Sequence, residues 1–172
     1  MKPKNILIFG ASGQIGRHLI RKLTKNNYKV TAVTRNYHQK AFILKTQANP
    51  GFLDIVEANI YDYDLLNSII QKANICINLV GILHENKKVK FKTLHADFPF
   101  ILSKLCKENN LEQFVHISSL GIDKATDSKY ANSKLEGENF IKSIFPNSTI
   151  LRPSLVYSVD DKATTKFLSL LN

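Results

Sequence analysis

Short, nearly uninterrupted apolar runs alternate along the chain with stretches in which apolar residues recur every three to four positions. A strand buried on both faces produces the first pattern and a one-sided helix the second. Residues 5–10 read as a buried strand. Residues 13–26 read as a helix, with Ile15, Leu19, Ile20 and Leu23 sharing one face. Further strands are expected at 28–34, 52–58, 74–80, 114–118 and 149–151. Helices are expected at 37–46, weaker and broken by Asn49-Pro50-Gly51, and at 62–72, with Leu65, Leu66, Ile69 and Ile70 inward. Two more are expected at 91–109 and 130–145. Pro99 falls inside the first of these and, having no N–H, implies a kink or a lost bond there. About six strands separated by helices predict an α/β fold built on a doubly wound parallel sheet. That domain spans residues 1–158. Residues 159–172 are expected to begin a truncated C-terminal region on the substrate side, starting with another helix.

Composition narrows the class. A chain of 172 residues with 44% hydrophobic content is an ordinary soluble globular protein that needs no disulfide or metal staple. Two cysteines 30 positions apart form neither a disulfide framework nor a zinc site, so no metal is expected. The longest charge-free apolar stretch, residues 73–83, is short of the about 20 residues a membrane span requires. These features imply a reducing, cytoplasmic compartment. The formal charge of +10 is nearly all lysine, 20 Lys against 4 Arg, beside abundant Asn and Ile. That bias fits an AT-rich coding sequence better than a selected surface for nucleic acid, and no nucleic-acid partner is expected. The one cluster, Lys87, Lys88, Lys90 and Lys92, reads as a solvated face.

The chemistry starts at the first strand–helix junction. Gly10, Gly13 and Gly16 fall in a single turn, three of only seven glycines in the chain. Backbone N–H groups there can approach a pyrophosphate because no Cβ intervenes, and the helix N-terminus behind them is electropositive. Gly10, Ser12, Gly13, Gln14, Ile15, Gly16 and Arg17 are therefore the expected phosphate-binding segment of a Rossmann fold. In such folds a carboxylate about 20 residues further on grips the ribose 2′-hydroxyl of NAD. Here the second strand ends Val33-Thr34-Arg35-Asn36, without a carboxylate. Arg35 could fork onto a 2′-phosphate instead, with Arg17 flanking, which favours NADP(H) over NAD(H). The turn Leu79-Val80-Gly81 after the fourth strand would approach the cofactor riboses.

A second motif lies downstream. Tyr130 and Lys134 stand at i and i+4 on one helix face, the pattern YxxxK. A free tyrosine, with a pKa near about 10, is too weak a base at neutral pH. A nearby ammonium and a cationic nicotinamide favour the phenolate. Ser118 and Ser119 end the fifth strand, 11 residues before Tyr130 in the case of Ser119.

The glycine spacing GxxGxxG, YxxxK and the serine-ended fifth strand together resemble the short-chain dehydrogenase/reductase family, in its extended or atypical branch. The resemblance covers nearly the whole chain. It implies that Tyr130 exchanges a proton with substrate, that Lys134 also binds the nicotinamide ribose, and that Ser119, with Ser118 second, holds the substrate oxygen. It implies adenine contacts at Asn59 and Ile60, where the family usually has Asp. The fourth member of many family sites is an asparagine on the preceding helix. This chain has His95, which departs from the usual relay, although a histidine can also transfer protons or simply bond to backbone. The segment from Arg152-Pro153 to Tyr157 resembles RPxxVYG with Ser158 for the glycine, and implies that Pro153 borders the nicotinamide.

Residues 78–83, the His116-Ile-Ser-Ser run, the stretch ending Glu136-Gly-Glu138 and residues 152–161 resemble one subgroup more closely. It is that of the nucleotide-binding accessory subunit of respiratory complex I and its bacterial relatives. That resemblance implies an accessory or assembly protein with respiratory-complex partners, placed peripherally on the inner face of a membrane. The alternative is an NADP(H)-dependent oxidoreductase, epimerase or dehydratase working through Ser119, Tyr130 and Lys134. Both readings stay open on the sequence.

Overall fold

The structure, a computed structural model, describes residues 4–158. Strands and helices alternate: β1 (Asn5–Phe9), α1 (Gln14–Lys25), β2 (Lys29–Thr34), α2 (Tyr37–Lys45), β3 (Leu53–Glu57), α3 (Tyr63–Ile70) and β4 (Ile75–Asn78). A π-helical turn at Thr93–Asp97 leads into α4 (Phe98–Glu108), followed by β5 (Gln113–Ile117), α5 (Lys129–Ile144) and β6 (Thr149–Leu151). All six strands are parallel, in the order β3-β2-β1-β4-β5-β6. This is the doubly wound sheet expected from the pattern. The substrate-side region expected from residue 159 lies outside the described residues.

β1 explains the two-sided burial. Its side chains alternate, and both sets are buried because helices cover both faces. Leu7 and Phe9 join Leu66, Ile70, Phe98, Leu102, Phe114 and Ile141 under α3, α4 and α5. Ile6 and Ile8 join Ile20, Val30, Ala32 and Leu44 under α1 and α2. The chain reverses its winding between β1 and β4, which opens a crevice at their carboxyl ends.

Two glycines set the shape of that crevice. Gly10 has φ +75°, and a Cβ there would stand 2.9 Å from the Leu79 carbonyl, so only glycine lets β1 turn beside β4. A Cβ on Gly16 would lie 2.4 Å from the Ala11 carbonyl oxygen, which is how closely α1 packs on the turn.

The helix expected at 91–109 is interrupted earlier than Pro99 itself. Pro99 sits in the first turn of α4, where its missing N–H is harmless, and the disturbance is displaced into the π-helical turn before it. Pro99 cannot bond the His95 carbonyl four residues back. That carbonyl faces α5 instead, so near that a Cβ on Gly137 would be 1.9 Å from its oxygen.

Candidate functional site

A cavity of about 330 Å³ fills the crevice. Its floor is the glycine turn, Gly10, Ser12 and Gly13. Arg35 closes it from β2; Asn59, Ile60 and Tyr61 from the end of β3; Leu79, Val80 and Gly81 from the end of β4. Ile82, Lys88, Val89 and Thr93 complete the wall on the β4–α4 side. Among the described residues Arg35 and Lys88 are its charged members, and no carboxylate lines it. Gln14, Ile15, Gly16 and Arg17 form the first turn of α1 outside the lining. Pro153 is not in the lining either; its carbonyl accepts the Leu120 N–H at 2.9 Å.

The α1 N-terminus suits an anion. The helices α2, α3 and α5 each start on a side-chain cap, from Asn36, Asp62 and Ser128. α1 starts on Gly13 with no side-chain cap and no acidic residue in its first turn. Its leading N–H groups therefore have no capping side chain, and the positive end of the helix dipole has no acidic neighbour in that turn. The site fits the pyrophosphate of a dinucleotide.

Beyond Gly81 the crevice meets α5. Lys134 is 4% exposed. Its Nζ donates to the Ile117 carbonyl at 3.2 Å and lies 3.3 Å from where a Cβ on Gly81 would be. Burial lowers its pKa from 10.5 to about 8, against the opposing pull of Glu138. Tyr130, half-buried on the same helix, meets the rings of His95 and Phe91 edge-on, with centroids 5.3 and 5.6 Å away.

His95 is fully buried, with both ring nitrogens engaged. Its Nε2 accepts the Ile82 N–H at 3.0 Å, so the proton is assigned to Nδ1, which faces Ser133 Oγ at 3.0 Å. Ser133 in turn donates to the Tyr130 carbonyl at 2.7 Å. Burial, reinforced by the Lys134 charge, lowers the His95 pKa to about 4. His95 is thus a neutral strut between the β4 turn and α5, and the backbone-bonded alternative is the one the structure supports. His116 is buried too, its Nδ1 3.2 Å from Asn78 Nδ2, and burial takes its pKa to about 3.

The two serines differ. Ser118 is buried, its hydroxyl beside Glu138 but short of ordinary hydrogen-bond geometry; Ser119 is half-buried just beyond. Glu138, four residues after Lys134, is fully buried. It takes a two-pronged bond from Arg152, Nε to Oε1 and Nη2 to Oε2, both 2.8 Å, and a bond from Lys142 at 3.2 Å. Burial raises its pKa, but these donors outweigh it and leave the carboxyl at about 2. This pair ties α5 to the segment after β6.

Three features escaped the sequence reading: Lys88 and Tyr61 in the cavity wall, and the Glu138–Arg152 pair. Nothing in the order of residues marks which lysine of the 87–92 cluster faces the cavity.

A 3-2-1-4-5-6 parallel sheet with a glycine-rich crossover and an uncapped helix at its switch point defines an NAD(P)-binding Rossmann protein. More particularly, the sequence profile of the NAD dependent epimerase/dehydratase family matches residues 6–172, and the chain belongs to that family. It is 29% identical over 160 residues to NADH dehydrogenase (ubiquinone) 1 alpha subcomplex subunit 9, mitochondrial, of Mus musculus, covering 93% of this chain and 42% of that protein. It is 25% identical over 165 residues to the NADH-ubiquinone oxidoreductase 40 kDa subunit, mitochondrial, of Neurospora crassa, covering 96% and 44%. The crystal structure of the Bordetella bronchiseptica enzyme WbmH in complex with NAD+ superposes with a TM-score of 0.81 at 19% identity, covering 98% of this chain and 62% of that one. The chain therefore spans less than half the length of these two curated relatives. Among the described residues, no helix is long and apolar enough to cross a membrane.

Proposed function

We propose that the chain holds NADP(H) in preference to NAD(H), as a nucleotide-binding accessory or assembly protein of a respiratory complex I. One observation carries the nucleotide choice: the cavity wall offers Arg35 where a ribose-gripping carboxylate would stand, and it contains no acid. A second phosphate is attracted there and an NAD ribose gains no carboxylate acceptor. The similarity to complex I subunits supports the accessory role and a peripheral place at the membrane.

Bound NADP(H) supplies a hydride donor or acceptor. The glycine turn and α1 would hold its pyrophosphate, Arg35 its 2′-phosphate, Asn59 and Ile60 its adenine edge. Leu79, Val80 and Gly81 would border the riboses. Lys134 would hydrogen-bond the nicotinamide ribose and Pro153 would border the nicotinamide.

A second reading is that the chain is an oxidoreductase, epimerase or dehydratase. It is favoured by Tyr130 and Lys134 at i and i+4 of α5, with Lys134 Nζ beside Gly81 and Ser119 just beyond β5. In that reading Tyr130 transfers the proton, Lys134 lowers its pKa, and Ser119 orients the substrate oxygen. The two readings separate on Tyr130→Phe. An accessory protein keeps its nucleotide affinity and its co-purification with respiratory subunits from native membranes. An enzyme loses turnover of a carbonyl or nucleotide-sugar substrate. Arg35→Asp tests the nucleotide choice: NADPH affinity should fall about 10- to 100-fold, the worth of a charge-assisted contact.

A further inference from the structure

The lysine cluster of the β4–α4 loop is not a uniform solvated face. Lys92 is paired with Asp97. Lys87 and Lys90, exposed as Lys88 is, lie outside the cavity wall. Lys88 lines the cavity, and among the described residues no carboxylate pairs with it.

The loop is built to hold that arrangement. Asn86 Oδ1 accepts the N–H of Lys88 at 2.9 Å and that of Val89 at 2.8 Å, while the Asn86 N–H returns to the Val89 carbonyl at 3.0 Å. Glu85 Oε1 takes the Phe91 N–H at 2.8 Å, closing the loop at its base. Both acidic groups near Lys88 in sequence are thereby turned elsewhere: Glu85 to backbone, Asp97 to Lys92. At the other end, His95 accepts the Ile82 N–H and so anchors the start of the loop to the histidine strut against which Tyr130 packs.

We infer that Lys88 is a second phosphate-holding cation of the nucleotide site, delivered to the cavity by a self-tied loop. This rests on the dinucleotide reading above. A cavity lined by two cations, one following β2 and one from the β4–α4 loop, and by no acid attracts a polyanion, and the strength of each contact reports on the phosphate it meets.

The test is calorimetric titration of the chain with NADPH and with NADH, using Lys88→Gln, Lys88→Arg and, as a control, Lys87→Gln. Lys88→Gln should weaken NADPH about tenfold, with a shallower dependence of affinity on salt. Lys88→Arg should restore most of the loss, and Lys87→Gln should leave affinity unchanged. An equal loss for NADH places the contact on the shared pyrophosphate; a loss confined to NADPH places it on the 2′-phosphate. Either result supports the assignment. Wild-type affinity in Lys88→Gln, or an equal loss in Lys87→Gln, overturns it while leaving the dinucleotide reading intact. Failure of the unaltered chain to bind either nucleotide removes both.

Discussion

Replacing Lys134 by methionine should make the protein more stable while disabling the site. The lysine is 4% exposed and has one hydrogen-bond acceptor, the Ile117 carbonyl. Burial lowers its pKa from 10.5 to about 8, so at neutral pH the fold carries an ammonium it solvates poorly. At 1.36 kcal/mol per pKa unit that gap amounts to about 3 kcal/mol of destabilisation. Methionine keeps an unbranched, flexible stem and gives up one hydrogen bond of about 1 kcal/mol, for a net gain of about 2 kcal/mol at pH 7. The sign with pH follows from the direction. A lysine with a lowered folded pKa imposes its full penalty below pH 8 and is relieved as pH rises through 8 towards 10.5. Urea unfolding of both proteins at pH 7, 8, 9 and 10 measures this. Relative to the variant, the unaltered protein should gain about 2.5 kcal/mol between pH 7 and 10. Parallel pH profiles, or a variant less stable at pH 7, would refute the claim that the ammonium is held in place at the expense of the fold. Loss of nucleotide binding in the same variant would mark the residue as retained for function.

The buried histidines carry a prediction of the same sign in a lower pH window. His95 and His116 have pKa values lowered from 6.5 to about 4 and about 3, so their neutral forms are accommodated in full above pH 6.5 and stability is lost as pH falls from 6.5 towards those values. Between pH 7 and 5 unfolding free energy should drop by about 4 kcal/mol, and a flat profile contradicts the assignment. Glu138→Gln should destabilise by about 1.5–3 kcal/mol in chemical denaturation, because the buried carboxylate's charge-assisted bonds are lost while Arg152, partly exposed, keeps Asp123; no measurable change would show that the pair does not hold α5 to the segment after β6. Gly16→Ala places a Cβ against the Ala11 carbonyl, so a loss of about 1–3 kcal/mol in stability is expected, along with weaker nucleotide binding; an unchanged protein would mean the turn can open.

Periodicity exposed the sheet because a doubly wound fold buries both faces of its inner strands, and β1 and β4 are accordingly almost wholly apolar. The glycine turn was legible because its requirements are local: a positive φ at Gly10 and a close crossing at Gly16 admit no other residue. The rest depends on tertiary contacts. Pro99 announced a disturbed helix, but its displacement into a π-helical turn depends on how near Gly137 lets α5 come. His95 looked able to move protons until Ile82 and Ser133, both remote in sequence, took its two nitrogens. Lys88 was one of four similar lysines, and only the Asn86 turn distinguishes it.

The central claim is that the crevice between β1 and β4 is an NADP(H) site. Calorimetric titration of the unaltered chain with NADPH and NADH at one ionic strength tests it most directly. The account predicts saturable one-to-one binding, with NADPH at least about tenfold tighter and the preference abolished in Arg35→Asp. Equal affinities for the two nucleotides, or a preference for NADH, would contradict it.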